Sequence, residues 1–175
     1  MNALILVDLQ NDFLPGGALA VAEGDRVVLV ANRLAHEHRL VIATQDWHPA
    51  GHESFSRWPV HCVQNTRGAE FAPELDMRAI QRVFQKGTDP AIDSYSGFFD
   101  NDHRQSTGLG EFLKSQGVTS VTVMGLATDY CVKFTALDAR GLGFDVALIK
   151  SGCRAVHDEA AAIEAMRAAG VRISD

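Results

Sequence analysis

The chain is short of cysteine, of positive charge and of long apolar runs, and each shortage closes off a class of protein. Its three cysteines, Cys62, Cys131 and Cys153, are an odd number with no CxxC spacing among 175 residues. That argues against a disulfide framework or a thiolate zinc cage and fits a reducing, cytoplasmic setting. Sixteen Lys and Arg against 22 Asp and Glu leave a formal charge of -6. Neither a phosphate backbone nor an anionic lipid surface would be attracted to such a chain. Nucleic acid and membrane are therefore not expected partners, and a small molecule is. The opening MNALILVDLQND has no basic n-region and its apolar run stops at Asp8, which predicts neither a leader nor a span. No internal repeat, low-complexity tract or linker divides the sequence, so one domain over 1–175 is expected.

What is present is alternation. Hydrophobic content of 46% is enough for a sizeable core. The continuous apolar run over 3–7 has the pattern of a strand buried on both faces. Helical spacing follows over 25–38 through Val27, Val30, Ala31 and Leu34, then a β-branched run over 40–44. The same reading predicts strands at 82–85, 118–124, 145–149 and 171–174, with helices at 109–116, 129–142 and 158–169. Six strands with intervening helices predict a three-layer α/β fold with a parallel sheet. The stretch from Trp47 to Arg78 has little periodicity, and a loop that long inside one domain is usually functional.

Ligands of open parallel sheets gather at the carboxyl ends of the strands. Asp8 follows the first strand, Gln45-Asp46-Trp47-His48 the second, Lys86-Gly87 the third, and Gly125 to Cys131 the fourth. Cys131 is expected in the first turn of a helix, where unpaired N–H groups and a nearby cation such as Lys86 would acidify the thiol. Asp8 would then carry protons. Asp46 and His48 are two residues apart, so on an extended segment they share a face and can share a cation. His61 and His52 are candidates for the remaining ligands, and imidazole suits zinc, iron or manganese. His36, His38, His103 and His157 read as surface residues.

Several segments together resemble the nicotinamidase branch of the isochorismatase-like hydrolases. They are LILVDLQNDFLPGGALAV, TQDWHPAGHESF, WPVHCVQNTRGAEF, VFQKGTDPAIDSYSGFFDN, VMGLATDYCVKFTALDA and SGCRAV. The resemblance implies an isochorismatase-like fold with a six-stranded parallel sheet and a catalytic triad of Asp8, Lys86 and Cys131. It implies hydrolysis of nicotinamide, and also of pyrazinamide, to the acid and ammonia through a thioester on Cys131, in service of NAD salvage. It further implies a cis peptide before Ala127, with the Ala127 and Cys131 N–H groups as an oxyanion hole. By the same resemblance Asp46, His48 and His61 hold one divalent metal ion, zinc first, with iron or manganese as alternatives and His52 as a further candidate. Phe13, Trp47 and Tyr95 would line the slot for a flat pyridine ring, whereas Phe98 and Phe99 read as core. A homo-oligomer is a candidate state that the sequence does not decide.

Two stretches depart from the family pattern. Only Ser56 and Arg57 separate Phe55 from Trp58, and the stretch after Val156 is again short. Two residues give little freedom to turn, which bears on whether His61 can reach Asp46. Competing readings are a carbamoyl or ureido hydrolase of the same superfamily and a non-catalytic binding protein of this fold. The Asp46, His48 and His61 set speaks against the first.

Overall fold

In a computed structural model describing residues 1–175, six strands form one parallel sheet in the order β3-β2-β1-β4-β5-β6. The strands are β1 (Asn2–Val7), β2 (Val41–Asp46), β3 (Arg82–Lys86), β4 (Ser120–Leu126), β5 (Asp145–Arg154) and β6 (Arg172–Ser174). The helices are α1 (Gly24–Glu37), α2 (Leu109–Ser115), α3 (Lys133–Gly141) and α4 (Glu159–Ala168). Residues 3–7 of β1 and all of β2 are buried, so both faces of the central sheet are covered and the architecture is three-layered. This is the fold expected from the alternation.

The chain builds β1, β2 and β3 outward in one direction and then crosses back to lay β4 beside β1. The two halves diverge at the carboxyl ends of β1 and β4, and a crevice opens there. Four strand ends therefore meet at one rim: Asp8 after β1, Asp46 closing β2, Lys86 closing β3 and Ala127 after β4.

Local chemistry sets the boundaries. The inward stripe of α1 is Val27, Val28, Ala31, Leu34 and Ala35, the apolar face that a sheet-packed helix requires. Asp158 caps α4 by accepting the Ala161 N–H at 2.9 Å. Near the end of β4 the register slips between Val123 and Gly125. Gly125 has φ +133, and a Cβ there would lie 2.2 Å from the Val7 carbonyl oxygen, so only glycine lets the strand bend against β1.

Two elements differ from the sequence reading. β5 runs on to Arg154 instead of stopping at Ile149, because exposed Lys150 and Ser151 interrupt the apolar run without ending the strand. The helix expected over 129–142 opens with a π-helical turn, Thr128–Val132, before α3. No helix is long and apolar enough to cross a membrane.

Candidate active site

The strand ends bring Asp8, Lys86 and Cys131 into contact. Lys86 is fully buried, and its Nζ lies 2.9 Å from Asp8 Oδ2. It donates to Asp46 Oδ1 (2.5 Å), the Ser94 carbonyl (2.7 Å) and Cys131 Sγ (3.4 Å). Asp8 has φ +51, a left-handed conformation that turns its carboxyl under β2. There Thr44 Oγ1 donates to its Oδ1 at 2.6 Å. One ammonium thus bridges two carboxylates and a thiol in a buried site, where each charge depends on the others.

The electrostatics follow from that burial. Burial drives the Asp8 pKa upward and neighbouring Asp46 adds to it, while Lys86 and the Thr44 hydroxyl oppose the rise without cancelling it. For Asp46 burial also pushes upward, but Lys86 and the imidazoles of His48 and His61 prevail and hold it far below the usual carboxylate range. Burial disfavours charged Lys86, yet Asp46 and Asp8 outweigh it and keep the amine protonated. Cys131 contradicts the expectation of an acidified thiol. Burial raises its pKa well above the ordinary value and the pull of Lys86 does not compensate. A thiol that is a poor acid needs a base, and Asp8 stands within 4.8 Å of its sulfur.

The Leu126-Ala127 peptide is cis. The π-helical turn then passes over the nucleophile position, since the Ala127 carbonyl accepts from Tyr130 and Val132 N–H groups, both at 3.1 Å, and not from Cys131. Ala127 and Cys131 border the same cavity.

Beside this cluster lie Asp46, His48 and His61, all buried, with ligand atoms within 4.8 Å of one another. His48 Nε2 is 3.4 Å and His61 Nε2 3.8 Å from Asp46 Oδ2. The short Ser56-Arg57 connection therefore does not keep His61 away. His48 Nδ1 faces the Gly87 carbonyl at 2.8 Å and His61 Nδ1 the Pro59 carbonyl at 2.7 Å. A carbonyl can only accept, which assigns the proton to Nδ1 in both rings and leaves both Nε2 lone pairs toward Asp46. His48 Nε2 is buried without a hydrogen-bond partner. An orphaned imidazole nitrogen beside a carboxylate and a second imidazole, each anchored from behind, fits a divalent ion of zinc type. Gly87 has φ +62, and a Cβ on it would meet the His48 ring at 2.4 Å.

His52 is arranged differently. Its Nδ1 accepts from the Ser54 N–H at 3.3 Å and lies 2.7 Å from Ser54 Oγ, while Nε2 faces the Ile92 carbonyl at 3.4 Å. Both nitrogens are engaged, and the ring stacks on His48 at 4.1 Å. Asp93 forms a neighbouring group with His48 and His52. Since His48 has one free nitrogen, the two groups are parts of one polar chamber.

The cavity that opens onto Cys131 is lined by Phe13, Leu19, Val21, Asp46, Trp58, His61, Asp93, Tyr95, Ala127, Tyr130 and Val156. Phe13 and Tyr95 stand where the sequence reading put them. Trp47 does not: it is partly buried against the core, away from the lining. Neighbours along an extended segment point to opposite faces, so turning Asp46 and His48 inward turns Trp47 out. Trp58 supplies the indole instead. Its Nε1 donates to Tyr95 Oη at 3.2 Å, and its ring meets Tyr130 edge-on at 5.0 Å. The sequence reading missed Trp58, Tyr130 and Asp93 as lining residues, although all three lie in motifs it had marked.

A doubly wound sheet with acid, ammonium and thiol at its switch point, beside a carboxylate and two imidazoles, defines a cysteine-centred α/β site. The chain belongs to the isochorismatase-domain family, whose pattern it matches over residues 2–175. It is 50% identical to the nicotinamidase of Escherichia coli over 199 residues, covering 98% of this chain and 93% of that relative. The alignment is longer than this chain, so the relative carries stretches that this chain lacks. The pyrazinamidase of Pyrococcus horikoshii in complex with zinc is 41% identical, with a TM-score of 0.89 over 99% of this chain and 98% of that one. A protein from L. infantum in complex with nicotinate is 40% identical, with a TM-score of 0.97 over 100% of this chain and 92% of that one.

Proposed function

We propose that the chain is a nicotinamidase that hydrolyses nicotinamide, and pyrazinamide, to the carboxylate and ammonia. The observation that carries the reading is the fully buried Lys86, which holds Asp8, Asp46 and Cys131 together at the floor of an aromatic-lined cavity. Names of the full-length relatives support the substrate class.

A flat pyridine ring enters between Phe13, Trp58, Tyr95 and Tyr130 with its carboxamide toward Cys131. Cys131 Sγ attacks the amide carbon as Asp8 takes the thiol proton. This timing suits a thiol that burial holds neutral until substrate arrives. The Ala127 and Cys131 N–H groups receive the oxyanion, and such donors contribute about 3 kcal/mol each in comparable sites. Asp8 passes its proton to the departing nitrogen, the C–N bond breaks and ammonia leaves, with a thioester on Cys131. Water, deprotonated by Asp8, cleaves the thioester to give nicotinate and the free thiol. Lys86 stays charged throughout and steadies the two carboxylates as Asp8 cycles.

Asp46, His48 and His61 would hold one divalent ion, zinc first. When bound it would supply a Lewis-acidic point for the pyridine nitrogen or for water. His52 and Asp93 would border it. The carboxylate product would feed NAD salvage in a reducing cytoplasm, where all three free thiols would persist.

The test is ammonia release from nicotinamide and from pyrazinamide, with metal content measured on the same protein. Release by the parent but not by Cys131→Ala is expected. Full activity in Cys131→Ala, or none in metal-replete parent, refutes the proposal.

A further inference from the structure

Asp129 stands two residues before Cys131, is buried and has no part in the chemistry above. Its carboxylate binds three consecutive backbone N–H groups of the connection between β5 and α4. Val156 donates to Oδ1 at 2.9 Å, and His157 and Asp158 donate to Oδ2 at 2.7 and 3.0 Å. Burial alone would raise the Asp129 pKa, but these N–H bonds outweigh it and hold the group ionised. The connection has only four residues between Arg154 and Glu159. From it Val156 lines the cavity. The His157 ring lies parallel to Trp58 at 6.4 Å, with an interplanar angle of 16°, and edge-on to Tyr130 at 6.0 Å.

We propose that Asp129 is a positioning residue for substrate, pinning the 155–158 segment to the nucleophile turn so that Val156 completes the wall of the pyridine slot and His157 packs against its Trp58 and Tyr130 rings. One carboxylate receives every N–H from 156 to 158, so the place of that wall relative to Cys131 rests on it. Asp8, Lys86 and Cys131 are held by separate bonds. Loosening the wall should therefore weaken binding of the ring more than it slows the chemistry. This inference rests on the proposed function and deepens it.

Asp129→Asn keeps one acceptor oxygen and turns an amide donor toward the N–H groups, a small change in volume that breaks the three-way grip. Nicotinate affinity, measured by calorimetry on the metal-loaded protein, should fall about tenfold. KM for nicotinamide should rise by a similar factor with kcat changed less than about threefold, and hydrogen exchange at the His157 amide should lose its protection. Val156→Ala alone should also raise KM. In the Asp129→Asn background it should add little, because the two act through one wall.

A role confined to stability would lower the melting temperature and leave nicotinate affinity and KM unchanged in folded protein. That result overturns the inference, as do additive effects of the two substitutions. Should Asp129→Asn fail to fold, an unchanged KM in Val156→Ala overturns it as well. A parent that neither binds nicotinate nor releases ammonia overturns the proposed function and this inference with it. Normal binding by parent and Asp129→Asn alike overturns the inference alone.

Discussion

Replacing Lys86 by Met keeps an unbranched side chain one atom shorter and removes its charge, which isolates what the ammonium does. In the parent, Nζ neutralises Asp8 at 2.9 Å and Asp46 at 2.5 Å at the buried floor of the cavity. Without it two carboxylates face each other in a buried space. Breaking a buried ion pair from one side costs about 3–5 kcal/mol. A chain of this length loses about 2–4 °C of Tm per kcal/mol, so the expected fall is roughly 6–20 °C at neutral pH.

The pH dependence has a definite sign. In the variant the carboxylates lose their cation, so Asp46 loses the main charge that holds its folded pKa down and the folded pKa of Asp8, already raised by burial, rises further. An acid with a raised folded pKa destabilises the fold as pH rises through that pKa. The Tm gap between parent and variant should therefore be widest at neutral pH and shrink as acid protonates one of the pair. The assay is thermal unfolding followed by circular dichroism in chelator-treated protein, at several pH values, so that a bound ion does not substitute for the ammonium. A gap below about 2 °C at neutral pH, or one that grows on acidification, would refute the account of Lys86 as the charge that holds the site together.

Gly87→Ala should push the His48 ring out of place, because the new Cβ would sit 2.4 Å from it. Metal affinity is expected to drop at least about tenfold, measured by competition with a chromophoric chelator, and an unchanged affinity would dissociate His48 from the ion. Metal binding should also weaken as pH falls. In the metal-free protein burial works against charging His48, but Asp46 wins and raises its pKa, whereas burial dominates at His61 and lowers it. His48 therefore takes up a proton first, and the affinity should fall with a slope near one proton as pH drops through the raised His48 pKa; a flat profile would contradict the ligand set. Trp58→Ala should raise KM for nicotinamide severalfold while Trp47→Ala leaves it near the parent value, and steady-state kinetics showing the reverse would place the ring slot elsewhere.

Much of this was legible in the sequence because strand ends announce themselves. Asp8, Asp46 and Lys86 each stand at the end of a stretch readable as a strand, and a parallel sheet gathers such positions at one rim. The order of the strands was not legible, since no local signal says that β4 returns beside β1. The rotation of Trp47 away from the cavity was legible in principle: the alternation that paired Asp46 with His48 also turned Trp47 outward. The acidity of Cys131 was misjudged because helix position and a nearby cation can be read from sequence whereas the depth of burial cannot, and burial dominates. Asp129 gave no signal at all, because its partners are backbone N–H groups 27 to 29 residues further along the chain.

The claim on which the account turns is that the carboxamide carbon becomes bonded to Cys131. Acid quenching within milliseconds of mixing with nicotinamide, followed by mass spectrometry of the peptide carrying residue 131, tests it directly. A nicotinoyl adduct on Cys131, absent from Cys131→Ala and removed by hydroxylamine, is the predicted result. Ammonia release at full rate with no adduct on Cys131 at any quench time, and equal release from Cys131→Ala, would contradict it.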